Sequence, residues 1–186
     1  MDTRELRVLI ADDDEDDYIL TRDLLHQIGR ERFRLDWTPS FETALQAIEL
    51  NQHDVYLFDY HLGQSDGLAL MREAQARGCK APIILLTGND DWETDVEAMK
   101  VGAADYLVKG HLDPRLLERS IRYALERKRA QEELLQYAHE IERKNRDLAQ
   151  AVLAILPLQT ISWVLAEDRG CVDGEFLYHQ DDTKVS

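Results

Sequence analysis

The sequence predicts an α/β protein: a doubly wound, five-stranded parallel sheet followed by one long helix. Three observations carry that prediction. Short apolar runs rich in β-favouring residues recur five times, each is followed by a segment with helical spacing, and most end abruptly in a charged or hydroxyl side chain. Strands buried on both faces read as near-continuous hydrophobic runs, and alternating strand and helix with right-handed crossovers places helices on both faces of a parallel sheet.

Taken in order, Val8-Leu9-Ile10-Ala11 is a strand running into the acid cluster Asp12-Asp13-Asp14-Glu15-Asp16-Asp17. Those acids suit the N-terminal dipole of a helix whose apolar positions are Tyr18, Ile19, Leu20, Leu24, Leu25 and Ile28, closing at Gly29. Phe33 to Trp37 alternates as a half-buried strand, and Pro39-Ser40 starts a helix with Phe41, Ala44, Leu45 and Ile48 on one face. Asp54 to Asp59 is the central strand, and Asp66 opens a helix through Leu68, Leu70, Met71 and Ala74 that stops near Gly78. Pro82 to Thr87 is a fourth buried strand. Asp90 to Val101 is helical and ended by Gly102, and Ala104 to Val108 is a fifth strand ending at Lys109. The last helix starts near Asp113-Pro114 and meets no glycine or proline before Pro157.

Parallel strands bring their C-terminal ends to one edge, where open α/β sheets place their sites. Asp12, Asp13, Asp59, Thr87 and Lys109 therefore share a crevice. An acidic cluster with a lysine can be a structural ion pair, but Thr87 and Lys109 each end a strand of their own. Gathered carboxylates raise one another's cost of ionising, so a divalent cation is their natural neutraliser. Carboxylate and carbonyl oxygens suit Mg²⁺, which wants octahedral geometry at about 2.0–2.1 Å. Beside such a cation the Asp59 carboxylate can attack phosphorus in line, with Lys109 holding the phosphoryl oxygens and Thr87 donating to another.

Over roughly Arg7 to Arg127 the sequence resembles the receiver domain of two-component response regulators. The likeness is carried by Val8-Leu9-Ile10-Ala11-Asp12-Asp13, Leu57-Phe58-Asp59 with Leu62 and Asp66-Gly67, Leu85-Leu86-Thr87-Gly88, and Gly102-Ala103-Ala104-Asp105-Tyr106-Leu107-Val108-Lys109. The resemblance implies a flavodoxin-like sheet of order 2-1-3-4-5. It makes Asp59 the phosphoacceptor and Asp12, Asp13, Asp59 and the His61 backbone carbonyl the Mg²⁺ ligands. The donor it implies is a phosphohistidine on a sensor histidine kinase or phosphotransfer protein. It also implies a switch in which Thr87 moves towards the phosphoryl group and Tyr106 changes rotamer behind it; Tyr106 reads equally as a static strand residue. Gly63 and Gly110 stand where the family usually has proline, which leaves open whether the Lys109–Gly110 peptide is cis.

Beyond the receiver, Leu134, Ala138, Ile141, Asn145, Leu148, Val152 and Ile155 follow alternating steps of four and three, a heptad seam. Asn145 falls at an a position, where one buried Asn favours a parallel two-stranded register. The alternative is an amphipathic helix folded back on the receiver. His139-Glu140 resembles the phosphoacceptor dipeptide of sensor kinases, but no helix bend, second helix or ATP-binding domain follows, so His139 reads as an exposed histidine. After Pro157, Trp163 and Val172-Asp173-Gly174-Glu175-Phe176 faintly resemble the opening of SpoIIE-like serine/threonine phosphatases. The expected organisation is a receiver over 1–127, a coiled-coil helix over 128–156, and a short tail or truncated output stub over 157–186.

The 186 residues carry 37 acids against 22 Lys and Arg, a net charge of -15 that disfavours direct nucleic-acid binding. No helix-turn-helix is visible. The polar opening Met1 to Glu5 and the lack of a bilayer-length apolar run lead to the expectation of a cytoplasmic protein without membrane insertion. Cys79 and Cys171 are too few for a disulfide framework or zinc cluster. The sequence thus points to a homodimeric, phosphorylatable receiver with no stand-alone enzymatic activity beyond its own phosphorylation and dephosphorylation. A phosphorylation-independent dimeric scaffold and the regulatory half of a truncated phosphatase or cyclase are the alternatives.

Overall fold

A computed structural model describes residues 5–28, 33–88 and 92–155. The chain divides into two units, Met1–Leu134 and Leu135–Ser186. In the first unit the strands are β1 (Leu6–Ala11), β2 (Phe33–Thr38), β3 (Val55–Asp59), β4 (His61–Leu62), β5 (Ser65–Asp66), β6 (Ile83–Thr87) and β7 (Asp105–Val108). The helices are α1 (Glu15–His26), α2 (Phe41–Glu49), α3 (Gly67–Ala76), α4 (Trp92–Val101) and α5 (Pro114–Ile155). The main sheet is parallel in the order β2-β1-β3-β6-β7. Since β4 and β5 form a separate ribbon, this is the expected 2-1-3-4-5 arrangement.

Strand periodicity sorts the core into two layers. Leu9, Tyr56, Phe58 and Leu85 pack with Ala44, Leu45 and Ile48 of α2, Leu70, Met71 and Ala74 of α3, and Ala98 of α4. Val8, Ile10, Leu57, Ile84 and Leu86 pack on the other face with Leu25 of α1 and Leu117, Ile121 and Ala124 of α5. Covering both faces keeps β3 wholly buried, Asp59 included.

Helix starts follow the sequence signals. Ser40 Oγ accepts the Thr43 N–H at 3.3 Å, and Asp66 Oδ1 accepts the Ala69 N–H at 2.5 Å. Asp113 Oδ1 accepts the Leu116 N–H at 2.8 Å beside Pro114, the first residue of α5. That helix runs 42 residues, and Leu134, Ile141, Leu148 and Val152 are 69, 59, 63 and 55% exposed. His139 is exposed. Among the described residues no helix is long and apolar enough to cross a membrane. Cys79 is a half-buried thiol, whereas Cys171, Trp163 and the Val172–Phe176 motif lie outside the described residues.

Candidate functional site

The site lies where the chain leaves β1 and β3, the point at which connections turn to opposite sides of the sheet. Asp12 follows β1 and is fully buried, and Asp59 ends β3 with 6% exposure. Both acids are there because their strands are: the apolar runs preceding them fix the sheet, and the first polar residue after each run lands at its rim. One oxygen from each of Asp12, Asp13 and Asp59 lies within 4.8 Å of the others.

Backbone and side-chain donors orient these carboxylates individually. Asp12 Oδ1 accepts the Asp14 N–H at 3.0 Å, and Asp14 Oδ1 accepts the Asp16 N–H at 2.8 Å, capping α1. The Trp37 indole donates to the Asp12 backbone carbonyl at 2.8 Å while its ring stacks on Tyr18. Asp13 is exposed, and its Oδ2 accepts the Gly63 N–H at 3.1 Å. The His61 N–H donates to the Asp59 carboxylate. The His61 imidazole is exposed and meets the Tyr60 ring edge-on.

Lys109 reaches three carboxylates from the end of β7. Its ammonium is 2.8 Å from Asp12, 2.6 Å from Asp17 and 3.1 Å from Asp59. Burial alone would lower the lysine, but its hydrogen bonds to Asp12 and Asp17 and the charge of Asp59 outweigh that and hold it well above its ordinary value. For Asp59 burial wins: it pushes the carboxyl up to about 6, with Asp12 adding to the rise and Lys109 opposing it. Burial likewise raises Asp12 against the pull of Lys109. One ammonium does not neutralise this group of acids, and oxygen donors left short of positive charge are the donor set a hard divalent cation prefers. The residues fit Mg²⁺.

Thr87 ends β6 and is buried, one residue beyond Leu86, the register partner of Asp59. Tyr106, half-buried in β7, packs against the core layer beneath α2, α3 and α4. The Lys109–Gly110 peptide is trans, and Lys109–His111 forms a single 3₁₀ turn.

Two features were missed in reading the sequence. Asp17 was one acid in a run of six, with nothing to single it out. The residues after Asp59 form the β4–β5 ribbon, closed by Gly63-Gln64, with Gly63 at φ +63°. A positive φ at the first central residue and not at the second, Gln64, is the signature of a type II′ hairpin turn, and Gly63 was its available signal. Gly67 is required for another reason: a Cβ there would lie 2.2 Å from the Asp59 carbonyl oxygen. The Gly67 N–H donates to the Tyr60 carbonyl at 2.8 Å, so this close approach pins the chain directly behind Asp59.

Residues 8–122 match the response regulator receiver domain. The two-component response regulator PhoP of Pseudomonas aeruginosa is 35% identical over 95 residues, covering 51% of this chain and 42% of PhoP. The transcriptional regulatory protein RprY of Bacteroides fragilis is 31% identical over 156 residues, 84% of this chain and 64% of RprY. A CheY-like receiver domain protein from Methanospirillum hungatei superposes with a TM-score of 0.59 at 26% identity, covering 69% of this chain and 99% of that one. The chain therefore spans less than two thirds of these curated relatives' lengths.

Proposed function

Because the chain belongs to the response regulator receiver family of two-component systems, we propose that Asp59 accepts a phosphoryl group from a phosphohistidine donor and that the resulting switch reaches an output or partner through a homodimeric helix. The donor is a sensor histidine kinase or phosphotransfer protein. The observation that carries this reading is the convergence of Asp12, Asp17 and Asp59 on Lys109 at the sheet's C-terminal edge, beside the Asp12–Asp13–Asp59 oxygen cluster.

Asp12, Asp13, Asp59 and the His61 carbonyl would hold Mg²⁺, whose charge offsets that of the carboxylates and phosphoryl oxygens. An oxygen of Asp59 attacks phosphorus as the P–N bond to the donor imidazole breaks, its electron pair leaving with the imidazole nitrogen. Lys109 pairs with a phosphoryl oxygen, stabilising charge that grows outside the carboxylate. The Thr87 hydroxyl donates to another and moves inward, and Tyr106 follows by a rotamer change. A small gap between the two arrangements lets one new charge select between them.

In this reading residues 1–127 form the receiver, 128–156 the dimerising helix through the seam from Leu134 to Ile155, and 157–186 a tail or the start of an output region. The net charge of -15 fits a cytoplasmic protein whose partners are proteins rather than nucleic acid. Light-scattering mass of the full chain in Mg²⁺, with and without beryllofluoride, tests the proposal. A mimic-dependent shift in mass or elution that Asp59→Asn abolishes is the expected result. A dimer whose mass, elution and partner affinity ignore the mimic would overturn the phosphoswitch and favour a constitutive scaffold.

A further inference from the structure

Lys109 lies nearest to a carboxylate that takes no part in the cation cluster. Its ammonium is 2.6 Å from Asp17, against 2.8 Å from Asp12 and 3.1 Å from Asp59. We infer that Asp17 is a positioning residue that draws Lys109 towards the first turn of α1 and so competes with a phosphoryl group on Asp59 for the ammonium. The inference rests on the phosphoacceptor reading above.

An ammonium has three donors, and three carboxylates surround this one. A cation among Asp12, Asp13 and Asp59 takes up charge from two of the three carboxylates that Lys109 touches. Asp17 lies outside that oxygen cluster, so such a cation offsets its charge less than theirs. It becomes the principal anion holding the lysine when the site is loaded. For Lys109 to follow a phosphoryl oxygen outward from Asp59, its tie to Asp17 must lengthen, and the Asp17 charge opposes the arrival of any anion. The effect is a restraint on the phosphorylated state, set by a residue that touches neither phosphorus nor metal. The Asp17 side chain is 36% exposed, whereas that of Asp12 is wholly buried, so Asp17 can be changed without opening a cavity.

The test is titration calorimetry of the full chain with beryllofluoride in saturating Mg²⁺, and with Mg²⁺ alone. Wild type, Asp17→Asn, Asp17→Glu, Lys109→Ala and the Asp17→Asn/Lys109→Ala double variant are compared. Asp17→Asn should bind the mimic about three- to tenfold more tightly, while Mg²⁺ affinity stays within about twofold because Asp17 is not among the clustered oxygens of Asp12, Asp13 and Asp59. Asp17→Glu, which keeps the charge, should remain near wild type. The gain should vanish in the Lys109→Ala background, because a restraint exerted through the lysine cannot outlive it. Unchanged or weaker mimic binding by Asp17→Asn overturns the inference and leaves the phosphoacceptor reading standing. So does a gain that persists without Lys109, or one matched by an equal change in Mg²⁺ affinity. Failure of the wild-type protein to bind the mimic overturns both.

Discussion

Asp59 ends β3 with its side chain 8% exposed and the Lys109 ammonium 3.1 Å away, so burial and an opposite charge act on it together. Burial prevails, and the carboxyl titrates near 6 instead of its ordinary 3.8. The folded protein thus holds this proton more tightly than the unfolded chain. Stability contributed by the protonated acid is present at low pH and is lost as pH rises from about 4 to about 6. In metal-free protein at neutral pH, Asp59→Asn should therefore be stabilising by about 2–3 kcal/mol. The difference should close towards pH ~4. Urea midpoints of the two proteins across that range, in chelator, measure it; an Asn variant less stable at neutral pH would mean that Lys109 outweighs burial. The same strain makes the site receptive to a cation, which favours the ionised form that burial disfavours.

The β4–β5 ribbon belongs to the element scale, because its geometry is set by a turn and its effect is felt on another loop. Gly63 adopts φ +63° and gives its N–H to Asp13 at 3.1 Å. Proline at this position would remove the donor and force φ to about −65°. Gly63→Pro should therefore weaken Mg²⁺ binding several-fold in calorimetry by releasing the Asp13 carboxylate. Gly63→Ala retains the N–H and should weaken Mg²⁺ binding less than proline does, while its Cβ strains the turn at this positive φ. Equal affinity in the proline variant would show that Asp13 needs no help from the ribbon. Helix starts at Ser40, Asp66 and Asp113 work on the same scale: each side chain satisfies a backbone donor that its helix cannot.

At the scale of the whole molecule the question is what covers the apolar stripe of α5. Leu134, Ile141, Leu148 and Val152 are more than half exposed in the single chain. Burying such side chains contributes about 1.5–3 kcal/mol each, which a second copy meeting them in register would supply. Ile141→Lys combined with Leu148→Lys in the full chain should leave a monomer by light scattering, with the receiver's thermal unfolding little changed. A double variant that remains dimeric would refute the seam. In such a pairing Asn145 at its a position would set the register at some cost in stability.

The strands, their parallel pairing and the gathering of Asp12, Asp59, Thr87 and Lys109 at one edge were legible in the sequence, because period and strand ends are written in neighbouring residues. The long final helix, Pro114–Ile155, was legible for the same reason. Asp17 and Gly63 were not. Asp17 meets Lys109 across 92 positions and the Gly63 N–H meets Asp13 across 50, so both contacts depend on where separate elements come to rest. Local pattern decides which residues reach the rim of a sheet; only the packing of helices and loops around that rim decides which of several equivalent acids a single lysine touches.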